Sequence, residues 1–346
     1  MGMLVITSNR TCEQERSPMK TIPTILVTLA LVSAAFILST GCANQAGVEK
    51  AENVYNNYRP EKIQDLGSTK TLAVLPLIDY YTAAPELKGE PGVSYLIKTD
   101  HSTILFDVGF NQEETDPSPL QHNMTLLNIT MDDIDTLVIS HNHPDHVGGF
   151  DNMKRETFSL GMEQVDLKGK RVFTPIPMTY PGVAPVCSPE PTIIAPGVAT
   201  IGTIPRQLFL AGWVEEQALA VHVEGKGIVL IVGCGHQTVE KILDRTGKLF
   251  DEPIFGIIGG LHYPVPDGRI RKFGLDLASI VSTESPFKSI TNEDVTADIE
   301  RIKAVHPEIV SLSPHDSSDE VIGRFRSEFG ETYKDLLVGE LIIIGE

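Results

Sequence analysis

The sequence predicts a layered α/β domain, and three observations carry the reading. Short apolar runs of strand length alternate with helix-like stretches between Leu72 and Ile344. Four of those runs stop at a residue type that binds metals, at His141, Cys234, His262 and His315. The first stop opens into three histidines and an aspartate within six residues, His141-Asn142-His143-Pro144-Asp145-His146. Strands alternating with helices, with polar residues gathered at strand ends, describe sheets covered by helices.

The elements follow in order. Leu72–Leu77, Ser94–Lys98 and Thr103–Phe106 read as strands, the last ending at Asp107-Val108-Gly109. Pro119–Leu127 reads as a helix, and Leu137–Ser140 as the buried strand that carries the histidine cluster. Phe150–Glu156 continues as helix. From Ser159 to Gly202 there are seven prolines and no regular period, which predicts an excursion of short strands and loops over the metal site. Ala218–Val223 and Ile228–Val232 flank Glu224-Gly225-Lys226-Gly227 as a hairpin. Thr238–Arg245 reads as a helix and Ile254–Ile258 as a buried strand. Thr291 can cap a helix over Asn292–Val305. Ile309–Leu312 is a strand ending at Pro314-His315-Asp316, Glu320–Phe329 the last helix and Leu336–Ile344 the last strand.

The N-terminus stands apart. Met19-Lys20 precedes Thr21–Thr40, a run without charge that ends at Gly41-Cys42, which is the pattern of a secretory signal. Leu38-Ser39-Thr40-Gly41-Cys42 resembles a bacterial lipobox, implying a lipidated Cys42 and a domain held at the extracytoplasmic side of the bacterial cell envelope. Met1–Pro18 has no role in this scheme, and Met19 would serve as the start. Residues 43–70 are polar without an apolar period and read as a tether. The expected division is an upstream extension and signal peptide over 1–41, a lipidated terminus and tether over 42–70, and one domain over 71–346.

Mean hydropathy near zero excludes a polytopic membrane protein. Without residues 1–41, which hold three basic and two acidic residues, 25 basic residues face 44 acidic ones, a net of −19. Such a surface repels phosphate backbones and argues against a nucleic-acid partner. Of four cysteines, Cys12 lies upstream and Cys42 is the lipidation candidate. Cys187 and Cys234 could pair in an oxidising compartment, but Cys234, at a strand end beside His236, has a better use as a metal ligand.

A packed fold must satisfy the polar atoms of three imidazoles and a carboxylate, and a metal does so. His141 and His143, two apart at a strand end, project the same way and can share one ion. Asp145 and His146, past Pro144, turn toward a second. The spacing therefore suggests two adjacent divalent metals. His101, His122, His222 and His306 lack such settings and read as structural.

The H-x-H-x-D-H pattern resembles the second motif of the metallo-β-lactamase superfamily. With Asp107-Val108-Gly109, Gly233-Cys234-Gly235-His236, Gly259-Gly260-Leu261-His262 and Pro314-His315, the chain is similar from about Leu72 to Gly345 to one branch. That branch is the 7,8-dihydropterin-6-methyl-4-(β-D-ribofuranosyl)aminobenzene-5′-phosphate synthase-like proteins. The resemblance implies an αββα sandwich, two mixed sheets flanked by helices with the metals at the sheet ends. It implies that Asp107 fixes a ligand histidine by a hydrogen bond, that Asp145 orients an attacking hydroxide besides binding metal, and that His315 is the last ligand. Cys234 stands where most members have an aspartate that bridges the metals. A thiolate there is a soft ligand favouring zinc, with manganese or iron as alternatives.

The chain departs from the pattern twice. The histidine usual one strand earlier is missing from Ala211–Gln217, and His236 is the candidate replacement, with Glu216 the weaker one. Where the branch has His-Cys-Thr-Gly, this chain has His315-Asp316-Ser317-Ser318, which weakens transfer of the named reaction. His262 either faces the substrate or joins the metal site. The main expectation is a membrane-tethered dinuclear metallohydrolase acting on an ester, lactone, amide or phosphoester of a small molecule. Cleavage of a β-lactam is set aside, because the missing histidine alters the site. The second is the pterin condensation of the branch, whose phosphorylated substrates belong in the cytoplasm while the lipobox points outside it. The third is a non-catalytic metal- or ligand-binding lipoprotein, against which nearly complete metal motifs argue.

Overall fold

The computed structural model describes residues 43–209, 211–269, 271–272, 275–276, 283–284 and 289–345. The predicted signal peptide, Met19 and the Cys42 lipid site lie outside them. Two large sheets dominate. The first runs in the order β17-β1-β2-β3-β4-β5-β6, with β1 at Thr71–Ile78, β2 at Ser94–Thr99, β3 at Thr103–Phe106, β4 at Thr136–Val138, β5 at Arg171–Thr174, β6 at Val186–Cys187 and β17 at Ile342–Gly345. The second runs β16-β13-β12-β11-β8-β7, with β7 at Thr192–Ala195, β8 at Val198–Thr200, β11 at Leu219–Val223, β12 at Gly227–Val232, β13 at Ile254–Gly259 and β16 at Ile309–Leu312. A separate hairpin joins β9, Ile204–Leu208, to β10, Gly212–Glu216.

Side-chain alternation explains the layering. Along β12, Ile228, Leu230 and Val232 point to one face and Val229 and Ile231 to the other, and all are buried. Val229 and Ile231 meet Leu72, Val74, Ile97 and Phe106 of the first sheet in the layer between the sheets. Ile228, Leu230 and Val232 instead pack on Ile242 of the helix Val239–Leu249, Ile299 of Asn292–Ala304, and Phe325 of Asp319–Phe329. On the outer face of the first sheet, Leu105, Leu137 and Ile139 pack on Leu120 and Met124 of the helix Pro119–Leu126. Each such side chain contributes roughly 1.5–3 kcal/mol by leaving water. The result is the expected αββα sandwich of mixed sheets.

Topology gathers the chemistry. β3 and β4 run parallel in the first sheet, and β12, β13 and β16 run parallel in the second. Their C-terminal ends release Asp107, the 139–146 stretch, and the loops at 233–236, 260–262 and 313–316. Gln217, just before β11, ties the sheets together at this end: its Nε2 donates to the Ile139 carbonyl at 2.9 Å and its main-chain N to that of Ser140 at 3.0 Å.

Three expectations change. The last strand is shorter, because Gly339 at φ +86° and a turn donating Glu340 N to Leu337 O break the run before β17. Residues 159–202 supply strands to both sheets, β5 and β6 to the first and β7 and β8 to the second, instead of an excursion over the site. Finally, the segment read as a tether contains a helix over residues 43–57, called α1 below, docked on the domain. The Tyr55 hydroxyl donates to Asp244 and lies 3.3 Å from the Lys241 carbonyl, Lys241 pairs with Glu52 at 2.5 Å, and the Arg245 guanidinium lies 4.3 Å over the Tyr58 ring. Leu66 belongs to the buried cluster beneath the second sheet, so the folded unit starts before residue 71.

If α1 is part of the fold, Tyr55→Ala lowers stability by about 1–3 kcal/mol, the usual range when a half-buried contact is lost. Thermal unfolding of the mature protein measures it, and an unchanged midpoint would restore the tether.

Candidate metal centre

The cluster begins where β4 stops. Ser140 donates its main-chain N to Asp107 Oδ1 at 2.7 Å and its hydroxyl to Asp107 Oδ2 at 2.6 Å. His146 Nδ1 also reaches Oδ2, at 2.7 Å, and must donate because a carboxylate only accepts. Having donated its one proton, the Ser140 hydroxyl accepts from His141 Nδ1 at 2.9 Å. One buried carboxylate thereby fixes the tautomer of two histidines and leaves both Nε2 atoms facing inward. Pro144 opens a helical turn, Pro144–Val147, which ends on Gly148 at φ +79°. That turn separates His143 from Asp145 and His146.

The same device recurs in the second sheet. Ser313 donates to Asp79 Oδ2 at 2.6 Å and accepts from His315 Nδ1 at 2.6 Å, so His315 Nε2 faces Cys234 Sγ at 3.2 Å. Tyr95 also donates to Asp79, at 2.9 Å. Burial pushes the Asp79 carboxyl up to about 7, and a cation nearby would draw it down. The loop after β12 is shaped by Glu216. Its Oε1 accepts from Cys234 N and Gly235 N, both at 2.9 Å, and its Oε2 from His236 N at 2.7 Å. Both oxygens accept from main-chain amides, so Glu216 holds this loop, and among the described residues it joins none of the donor groups, which favours His236 over it.

These loops bring together the residues expected at the metals. Asp145, His146, Cys234 and His315 present ligand atoms within 4.8 Å of one another, and so do His141, Cys234 and His236. His143 joins the second group, its Nδ1 lying 3.0 Å from His141 Nε2 and 3.2 Å from His236 Nε2. Cys234 is common to both groups, the place of a bridge. Buried as it is at 3% exposure, it is a free thiol, as is the exposed Cys187.

Does this set fit a metal? Burial holds His141 and His236 well below the usual imidazole range and His143 at about 4, so all three are neutral, the form that binds metals. Burial also works against charge on His146, but the carboxylates of Asp145 and Asp107 more than offset it and raise it. Burial, then the surrounding carboxylates, push the Cys234 thiol up, so a thiolate there needs a cation. His143 Nε2, His146 Nε2 and His236 Nδ1 are buried without a hydrogen-bond partner. Such orphaned atoms are rare in folded proteins, and together with this donor chemistry they fit one or two divalent ions.

His262 stands slightly apart. Its φ is +60°, its ring centre is 4.5 Å from that of His236, and neither ring nitrogen has a hydrogen-bond partner, although Nδ1 lies 3.9 Å from Asp316 Oδ2. It lines a cavity of about 290 Å³ that also takes in Arg206, Thr238, Tyr263 and Glu284. Its main-chain N donates to Asp316 Oδ2 at 3.0 Å, and Cys234, His262 and Asp316 form a third group of donors within 4.8 Å. Gly260 makes room here, since a Cβ would fall 2.5 Å from Asp316 Oδ2 and 2.3 Å from the Gly233 carbonyl.

Sequence reasoning missed Asp79, Ser140, Ser313 and Asp316. The serines carry a signal, one directly before His141 and the other two before His315, each at a strand end. Asp316 sits in the altered last motif. Asp79 gives no local sign.

Residues 87–197 match the family model described as the metallo-beta-lactamase superfamily. The chain is 25% identical over 236 residues, 54% of its length and 77% of the relative's, to the 7,8-dihydropterin-6-methyl-4-(beta-D-ribofuranosyl)-aminobenzene-5'-phosphate synthase of Methanocaldococcus jannaschii. A solved metal-dependent hydrolase of the beta-lactamase superfamily superposes with a TM-score of 0.54 at 19% identity, covering 80% of this chain and 100% of that one. The metallo-beta-lactamase fold protein YhfI of Bacillus subtilis gives 0.49 at 13%, with the same coverage.

If Asp79 and Ser313 orient His315, Ser313→Ala weakens metal binding by about 10–100-fold while the circular dichroism spectrum stays that of the parent. Competition with a chromogenic chelator reads the affinity. An unchanged value would mean the hydroxyl plays no part in presenting Nε2.

Proposed function

We propose that this chain, which carries a metallo-beta-lactamase superfamily domain, is a membrane-tethered hydrolase that works with two divalent metal ions. The observation that supports it is the pair of donor groups meeting at Cys234, beside a polar cavity. His141, His143, His236 and Cys234 would hold one ion, and Asp145, His146, His315 and Cys234 the other. The thiolate favours zinc, with manganese or iron as alternatives. When bound, such ions act as Lewis acids on a carbonyl or phosphoryl oxygen and lower the pKa of water near them.

The chain's own groups do the rest. Asp145 can accept a proton from an attacking water and so point its lone pair at the substrate. Asp107 and Asp79, through their serines, keep His141 and His315 from turning. His262, with neither nitrogen hydrogen-bonded and the cavity before it, can touch the substrate or its leaving group. Esters, lactones, amides and phosphoesters of small molecules fit this chemistry. The net charge of −19 over residues 42–346 speaks against nucleic acid. Lipidation of Cys42 would place the enzyme at the extracytoplasmic side of the envelope.

A second reading, a synthase-like transferase, is favoured by the identity to the Methanocaldococcus protein. Against it stand Asp316 in the last motif and the lipobox, which points away from cytoplasmic phosphorylated substrates.

His146→Ala and His141→Ala should lose metal and hydrolysis of chromogenic esters or phosphodiesters together. His262→Ala should keep about two ions per chain while turnover falls about a hundredfold or more, the scale for a lost proton-transfer group. Elemental analysis beside the rate decides: activity in metal-free protein would end the hydrolase reading, and loss of an ion in His262→Ala would make that residue a ligand.

A further inference from the structure

The start of α1 lies against the rim of the cavity that His262 faces. The Asn44 side-chain amide donates to the Glu284 carbonyl, and its Oδ1 accepts from Gln207 Nε2 at 3.3 Å. A Cβ at Gly47 would fall 2.7 Å from Gln207 Cγ, so glycine lets the helix close on β9. One turn further, Lys50 Nζ lies 4.6 Å from the centre of the Trp213 ring on β10. Next to Gln207 on β9 is Arg206. Its Nε lies 3.3 Å from Glu284 Oε1, and its Nη1 donates to the carbonyl of His236 at 2.9 Å. A continuous set of contacts therefore runs from Asn44 through Glu284 and Arg206 to a residue of the metal group.

We infer that the cavity opens at the membrane surface and takes the polar head of a membrane amphiphile whose apolar tail stays in the bilayer. The inference rests on the reading of Cys42 as a lipid-bearing residue. Cys42 precedes Asn44 by two residues, a covalent span of at most about 7 Å. A flexible tether of the length expected for residues 43–70 would let the domain wander by roughly 30 Å and turn freely. Docking of α1 removes that slack and leaves the docked Asn44 only two residues from the anchor. A lipid on Cys42 then holds the Asn44–Glu284 rim next to the headgroups.

The cavity's chemistry selects the occupant. About 290 Å³ lies at the small end of ligand sites. Its walls include Arg206 paired with Glu284, Arg301 paired with Asp298 at 2.9 Å, and the Tyr263 hydroxyl, with Leu261 and Ile290 among the few apolar contributors. Such walls suit a compact polar head and offer no trough for an acyl chain. Confinement beside the bilayer supplies the affinity the small cavity lacks, by raising the effective concentration of a lipid substrate.

The test uses the full, lipid-modified protein with Cys187→Ser, in phosphatidylcholine–phosphatidylglycerol vesicles. A fluorophore is placed at Glu240→Cys, on the cavity wall, or at Lys168→Cys, before β5 and so at the opposite end of the strands. Nitroxide-headgroup lipids should quench the first several-fold more than the second, and equal quenching overturns the orientation. The anchored protein should hydrolyse vesicle-borne hexadecyl p-nitrophenyl phosphate at least about tenfold faster than the Cys42→Ser form, while ethyl p-nitrophenyl phosphate in solution is cleaved alike by both. Equal rates on the vesicle substrate overturn the amphiphile. If Cys42→Ser still sediments with vesicles, the anchor reading fails, and if neither ester is cleaved the phosphoester form of the hydrolase reading fails, each apart from the quenching result.

Discussion

Buried donor atoms without protein partners are the constraint on which the rest of this structure depends. His141, His143, His146, His236, His315 and Cys234 converge between the ends of two sheets, where water is largely excluded. Left alone, His141, His143, His236 and His315 are driven neutral by burial, His146 is held charged by Asp145 and Asp107, and the thiol stays protonated. Unsatisfied groups in such a place destabilise a fold by about 1–3 kcal/mol each. The surrounding structure concentrates that liability at one point and braces it from outside. Asp107, Asp79 and Glu216 spend every oxygen named above on serines, imidazoles, Tyr95 or main-chain amides and leave none for the ions. The inner donors are thus aimed by outer ones, an arrangement that would be wasted on a purely structural core.

The parts of this design that were legible in the sequence are those encoded locally. The run Leu137–Ser140 followed by His141 to His146 announces strand, turn and ligands within ten residues, and β12 and β13 announce themselves by unbroken apolar runs. The outer braces are different because they join residues far apart. Asp79 lies 234 positions from Ser313, and no local pattern connects them. The helix α1 was hidden for another reason. It docks through Tyr55, Tyr58, Glu52 and Lys50, that is, through hydroxyls, ion pairs and cation–π contacts, so it shows no apolar stripe to read. The end of the last strand was misread because Leu336 and Val338 are apolar and buried on either side of Leu337, yet Gly339 turns the chain.

Two residues at which the chain departs from the motifs it resembles lie close together. Cys234 brings a soft thiol to the bridging place, and Asp316 brings a hard carboxylate within reach of it, from the loop after β16. Gly233 and Gly260 leave the room these loops need. A Cβ at Gly233 would strike Ser140 Oγ at 2.4 Å, and one at Gly260 the Gly233 carbonyl. The missing histidine near Trp213 belongs to the same adjustment. Its strand now carries Glu216 inward, and the loop that Glu216 grips presents His236 instead. On the proposed reading the donor lies in the loop after β12, and Glu216 at the end of β10 braces that loop.

That exchange also explains why the β9–β10 hairpin matters to the chemistry although it holds no metal donor. Through Arg206 it grips the His236 carbonyl, and through Glu216 at the end of β10 it grips the His236 amide. The replacement ligand is therefore held at both its N–H and its C=O by one hairpin. On its other side that hairpin is pinned by Asn44, Gly47 and Lys50 of α1. Removing α1 would leave the inner donors of the first sheet untouched, because Asp107 and Ser140 secure them. Its effect would reach the site through Arg206 and Glu216, so the donor group that contains His236 is the one tied to α1.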